Sequence, residues 1–195
     1  LDQTKLPHDT IILQQETIEE VWHSIRMLKV RGAPAIGIAA AYGLLLGLER
    51  ECHLSKEEFI MALENRVNFL KSARPTAVNL DWSLTRLLNF SKSAPYQNTE
   101  TLYNILLSEA KAIHQEDIEI CYQIGAHGSE LIKNKMNILT HCNAGHLATS
   151  ELGTALSPIY FSHEQNKNVH VYACETRPLL QGARLTTWEL SKVGI

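Results

Sequence analysis

Cys142 closes a β-prone run, Asn137-Ile138-Leu139-Thr140-His141-Cys142, and is followed by Asn143-Ala144-Gly145 and a helical pattern reaching to about residue 161. This order predicts a strand, a turn and a helix, in which the free amides and positive end of the helix would stabilise a thiolate. A second reading of the same cysteine stays open, that of a small buried hydrophobe. A Cys-His dyad with His141 is excluded by geometry, because adjacent strand residues face opposite ways. Nor does Thr140-His141-Cys142-Asn143-Ala144-Gly145 fit the Gly-x-nucleophile-x-Gly elbow of serine and cysteine hydrolases.

Two arginines have the setting that suits an anion. Arg31 precedes Gly32, Ala33 and Pro34, and Arg74 lies between Ser72-Ala73 and Pro75, so each sits in a turn whose small neighbours let a ligand reach the backbone. Gly32 and Ala33 could add backbone amides at the start of the helix that Pro34 opens. A solvated surface arginine and an ordinary tight turn are the competing readings. Gln181, ahead of Gly182-Ala183-Arg184-Leu185-Thr186, is placed either to bond a sugar hydroxyl or to cap a helix. Glu175 and Arg177 read as a pair that braces a loop.

The elements that must hold these residues follow from periodicity. Thr17 with Glu20, and Ser55 with Glu58, have the spacing of capping boxes. Each opens an amphipathic helix, one carrying Val21, Ile25 and Leu28 to about residue 29, the other carrying Phe59, Leu63, Val67 and Leu70. Between them the apolar run Ala33–Leu48 predicts a buried helix, being too short and too rich in glycine to cross a membrane. Further helices are expected over residues 77–90 and 99–133, the second interrupted near Gly125 and Gly128. A second strand over 169–174 and a last helix over 183–192 complete a βαβα unit. Its strands should run parallel through a right-handed crossover, with their carboxyl ends, and so Cys142 and Glu175 to Arg177, on the ligand-binding edge. The fold class expected is α/β, with a mostly helical domain over residues 1–130 and the start of a parallel α/β domain over 131–195. The unit has fewer strands than a stable doubly wound sheet needs, so the chain reads as truncated near Ile195.

Composition narrows the class. At 195 residues, with 45% hydrophobic and 20% charged residues, the chain is an ordinary globular protein, and a net charge of -3 lacks the basic surplus that would attract nucleic acid. Cys52, Cys121, Cys142 and Cys174 are widely spaced and form no Cys-x-x-Cys pair, so neither a zinc site nor a disulfide scaffold is indicated and a reducing cytoplasmic setting fits best. The remaining histidines lack metal-ligand spacing.

Five segments together resemble the S-methyl-5-thioribose-1-phosphate isomerase family: Lys29-Val30-Arg31-Gly32-Ala33-Pro34-Ala35-Ile36-Gly37, Arg74-Pro75-Thr76-Ala77-Val78-Asn79-Leu80, Cys142-Asn143-Ala144-Gly145, Cys174-Glu175-Thr176-Arg177-Pro178 and Gln181-Gly182-Ala183-Arg184-Leu185-Thr186-Thr187-Trp188-Glu189. Their order and spacing cover nearly the whole chain. The resemblance implies an aldose–ketose isomerase of methionine salvage, with a helical domain followed by a Rossmann-like one, usually as a homodimer. It implies Cys142 as a catalytic group and Arg31, Gly32, Ala33, Arg74 and Gln181 as the phosphate and sugar site. It implies a small-molecule sugar phosphate as partner, no cofactor, no metal, no nucleic acid and no membrane. The family also uses an aspartate and a later Asn-Lys pair, expected beyond Ile195, so these 195 residues alone are expected to be inactive. His146 departs from the pattern, which has a less bulky residue there. Ribose-1,5-bisphosphate isomerases share the fold, and so do the non-catalytic regulatory subunits of the exchange factor for initiation factor two. The presence of Arg31, Arg74 and Cys142 together favours the enzyme.

Overall fold

A computed structural model describes residues 1–195. They form two compact units, Leu13–Gln115 and Leu1–Ile12 with Glu116–Ile195. The boundary falls inside one long helix, so residues 116–130, expected with the helical domain, group with the strands.

The unit Leu13–Gln115 is helical. Its elements are α1 (Ile18–Arg26), α2 (Ala33–Leu45), α3 (Lys56–Lys71), α4 (Val78–Ser93) and the first half of α5 (Thr99–Leu131). Both capping boxes form: Thr17 accepts from the Glu20 amide while Glu20 reaches back, and Ser55 and Glu58 do the same. Because α1 ends at Arg26, Leu28 lies beyond the expected stripe. There the chain turns left-handed, with φ 59° at Leu28, and the Lys29 amide returns to the Ser24 carbonyl at 2.9 Å, so a Schellman closure stops the helix early. The all-round apolar α2 is buried as expected, and Ile36, Ala40, Ala41, Leu44 and Leu45 meet Phe59, Leu63, Val67, Leu70, Leu80, Leu84 and Leu87 in one core. Each buried leucine or phenylalanine in it contributes roughly 1.5–3 kcal/mol of transfer free energy.

The other unit contains the second half of α5, then β1 (Asn137–Thr140), α6 (Ser157–Glu164), β2 (His170–Ala173) and α7 (Thr187–Lys192). The two strands pair in parallel with Asn137 opposite His170 and Thr140 opposite Ala173, which is the α/β arrangement expected. Leu156, Ile159, Tyr160 and Leu190 form its core, with Ile138, Val169 and Val171 packed against them. On the opposite sheet face Leu139 and Tyr172 pair in register and are exposed.

Two expectations about helices are corrected here. The long helix α5 is not interrupted at Gly125 and Gly128. Those glycines let α6 approach, since a side-chain carbon at Gly125 would run into Ser157 and Phe161, and one at Gly128 into Pro158. Their reason is packing rather than helix breaking. Behind Cys142 no long helix begins: His146–Ala148 make a short 3-10 turn and α6 starts only at Ser157. Thr149 Oγ1 donates to the carbonyls of Gly145 and Glu151, and the Thr154 amide returns to the Ala144 carbonyl at 2.9 Å. Such local bonds compete with a helical ladder. The helix-dipole argument for a Cys142 thiolate therefore fails.

Candidate active site

In the helical unit, each of the two arginine turns leads into a helix. Arg31 leads into Gly32, the N-cap of α2 with φ 95°, and Arg74 starts a turn closed by the Ala77 amide on the Arg74 carbonyl at 3.0 Å, just before α4. Near its start α2 packs on α4, Gly37 directly against the Asn79 backbone. The first turns of both helices are thus in contact, and each helix is preceded by one of the arginines. Arg31 is 8% exposed, which overturns the surface reading for it, while Arg74 is half-buried. Beside Arg31, Gly32 is half-buried and Ala33 exposed.

In the strand unit, Cys142 follows the end of β1 and is half-buried. Its φ of 60° is left-handed, a conformation that a non-glycine residue keeps only when its surroundings hold it, at a cost of order 1–3 kcal/mol. The surroundings do hold it from both sides. Thr176 Oγ1 accepts the Cys142 N–H at 2.9 Å and donates to the Cys174 carbonyl at 3.1 Å, and Thr176 too has a left-handed φ of 62°. Thr186 Oγ1 donates to the Cys142 carbonyl at 2.6 Å. The expectation that Cys142 meets the loop after β2 is met, and Thr176 is the residue that meets it.

Gln181 stands at the start of a π-helical turn, Gly182–Thr186, that runs into α7, and its side chain makes no capping bond. The turn is anchored to the same loop, because the Ala183 amide reaches the Glu175 carbonyl at 3.4 Å. This leaves Gln181 half-buried beside the Cys142 edge. Arg177 Nε donates to Glu175 Oε2 at 2.9 Å, the bracing pair expected, but both side chains are mostly exposed and the pair adds little stability.

Three residues that spacing did not single out complete the surroundings of Cys142: Asn143, Thr186 and Glu189. Asn143 Nδ2 donates to Thr186 Oγ1 at 3.2 Å and to Glu189 Oε1. Thr186 and Glu189 are three residues apart on one helical face, and that interval was a readable signal. Glu189 is 4% exposed, and burial raises its carboxyl above the ordinary range, against hydrogen bonds from Asn143 and the amides of Leu147 and His146. The Tyr160 hydroxyl lies close enough to influence that titration but is not aligned for a good hydrogen bond. Nowhere do three His, Cys, Asp or Glu side chains converge as metal ligands, and no helix is long and apolar enough to cross a membrane.

Residues 29–195 match the Initiation factor 2 subunit family. A methylthioribose-1-phosphate isomerase of Desulforamulus reducens is 50% identical over all 195 residues, and the chain spans 56% of that relative's length. The crystal structure of 5-methylthioribose 1-phosphate isomerase from Pyrococcus horikoshii OT3 superposes with a TM-score of 0.93 at 40% identity, covering 100% of this chain and 54% of that one. The crystal structure of the translation initiation factor eIF-2B, subunit delta, from A. fulgidus superposes with a TM-score of 0.88 at 42% identity, covering 100% of this chain and 56% of that one. With a family match that covers residues 29–195, well beyond half of the chain, this protein belongs to the Initiation factor 2 subunit family.

Proposed function

We propose that the full-length protein is an aldose–ketose isomerase that converts 5-methylthioribose 1-phosphate to 5-methylthioribulose 1-phosphate, a step of methionine salvage. The observation that carries this reading is the strained, doubly tethered Cys142 in a chain half identical to a methylthioribose-1-phosphate isomerase along its whole length. Arg31, Arg74 and Cys142 standing together favour the enzyme over a regulatory subunit that only binds.

The chemistry explains the residue types. The anomeric oxygen carries phosphate, so the sugar has no free aldehyde. The C1–ring oxygen bond must break, with a proton going to that oxygen, while hydrogen moves from C2 to C1 and the C2 hydroxyl gives up its proton to become the ketone. The proton gained by the ring oxygen matches the one lost from the C2 hydroxyl, so the product is an isomer of the substrate and no oxidant is needed. Arg31 and Arg74, with the Gly32 and Ala33 amides, would grip the phosphate, and Gln181 would bond a sugar hydroxyl. Cys142 would carry a proton or steady the charge that develops at C1 and C2. A Rossmann-like second domain, a homodimer and a cytoplasmic location belong to the same reading.

The test is ketose formation from 5-methylthioribose 1-phosphate by the full-length protein. Turnover supports the reading. A second reading, a subunit of a nucleotide exchange factor, is favoured by the likeness to the A. fulgidus structure. Absence of turnover together with stimulated nucleotide exchange on initiation factor two would replace the first reading with the second.

A further inference from the structure

We propose that Glu189 is a positioning residue for Cys142, acting through the Asn143 amide and the Thr186 hydroxyl to hold the cysteine's loop in its left-handed form. The inference rests on the reading of Cys142 as the reacting group, and its first test does not require that the isomerase reading be right.

The geometry is a short relay of contacts. Glu189 Oε1 takes one hydrogen of the Asn143 amide, and Thr186 Oγ1 takes the other at 3.2 Å. With its acceptor side occupied by Asn143, the Thr186 hydroxyl is left to point its own hydrogen at the Cys142 carbonyl, 2.6 Å away. Glu189 thus helps to set which way Asn143 faces, and Asn143 helps to set which way the Thr186 hydroxyl faces. Gly145 shows how closely the loop is fitted to the carboxylate, since a side-chain carbon there would run into Glu189.

A carboxylate is an expensive way to fill this place. Glu189 is 4% exposed, Oε2 finds no hydrogen-bond partner, and Leu190 beside it joins an apolar core with Tyr160 and Ile159. A buried acidic group with one oxygen unsatisfied destabilises a fold relative to an apolar residue of similar size. Besides the amides of His146 and Leu147, the group it holds is the Asn143 amide, and the residue next to Asn143 is Cys142. Helix α7 is where such a group must sit, because Thr186 and Glu189 lie one turn apart and face the same loop.

The experiment uses the full-length protein with Glu189→Gln, Glu189→Ala and Asn143→Ala. Glutamine keeps a carbonyl acceptor for Asn143, and its amide would occupy the place of the unsatisfied oxygen near Tyr160. The first readout is the rate at which iodoacetamide alkylates Cys142 in the folded protein, resolved by peptide, with Cys52 and Cys121 as internal references. Loosening the loop should raise the Cys142 rate about fivefold or more in Glu189→Ala and Asn143→Ala and leave Glu189→Gln within about twofold of the parent. The second readout is turnover of 5-methylthioribose 1-phosphate. Glu189→Ala should lose about 10- to 100-fold in kcat with KM nearly unchanged, and Glu189→Gln should restore most of it. An unchanged Cys142 rate in the folded alanine variants, or a Glu189→Gln as damaged as Glu189→Ala, overturns the inference. If Glu189→Ala does not fold, Asn143→Ala breaks the same contact from the other side and decides. If the parent protein shows no turnover, the isomerase reading falls and alkylation alone decides the role of Glu189.

Discussion

The backbone N–H of Cys142 donates to Thr176 Oγ1 at 2.9 Å, across 34 residues of sequence, and ties the end of one parallel strand to the loop that follows its neighbour. Together with the Thr186 hydroxyl on the Cys142 carbonyl, this fixes the direction of a side chain that a free loop would leave to wander.

Cys142→Ala in the full-length protein is therefore expected to lower kcat by about 100-fold or more while substrate binding persists, since only the proton-handling group is lost. Ketose formation and calorimetric binding of 5-methylthioribose 1-phosphate check the two halves separately. A loss below about tenfold would remove Cys142 from the chemistry.

Arg31→Ala and Arg74→Ala should each weaken phosphate binding by about 2–4 kcal/mol if each forms a charge-assisted pair with the anion. Their effects on stability should differ. Arg31 is buried and its loss should lower the thermal midpoint, whereas half-buried Arg74 should be replaceable with little change in it. Calorimetric titration with inorganic phosphate and thermal melts of both variants measure this, and equal affinity in either variant and the parent argues against a phosphate role for that arginine.

Gly125→Ala tests why α5 runs unbroken. In an exposed helix the change would stabilise by about 1 kcal/mol. At this position the new methyl meets Ser157 and Phe161 of α6, so a net loss of about 1–3 kcal/mol from overpacking is expected instead. Urea unfolding gives the sign directly, and a more stable variant would show that α6 does not lie against that glycine.

Glu189 should leave a signature in the pH dependence of stability. Burial holds its carboxyl above the ordinary value of 4.5, so the folded protein keeps this proton to higher pH than the unfolded chain does. The slope of stability with pH from this group is then negative: its contribution is complete below the unfolded value and is lost as pH rises through the folded one. Asn143, Tyr160, His146 and Leu147 are the groups that face it. Glu189→Gln cannot titrate, so its stability relative to the parent should increase as pH rises from about 4 to about 8. Denaturant melts across that range test the sign, and a flat or falling difference would mean that burial does not govern this carboxyl.

The features legible in the sequence are those that neighbours in the chain decide. Thr17 with Glu20 and Ser55 with Glu58 are capping boxes whose partners sit three residues apart, and both form. Phe59, Leu63, Val67 and Leu70 recur at helical spacing and are all buried. The two β-prone runs ending near Cys142 and Cys174 pair in parallel because a crossover of that length allows little else. Gly125 and Gly128 were misleading for the opposite reason, since only α6, some thirty residues on, shows that they make room for it.

By itself, then, the sequence determined the capped helices, the apolar face of each and the parallel βαβα order, because hydrogen bonds and periodicities within a few residues select them. Its run of motifs also determined the family, since each motif is contiguous. What only the tertiary structure decided is the state of Cys142. The expected helix behind it is a loop, and the restraint comes from Thr176, Thr186 and, through Asn143, Glu189, which lie 34 to 46 residues away from their partners. Contacts over such separations form only when the chain closes on itself, and a buried carboxylate among apolar neighbours has no local signal to announce it.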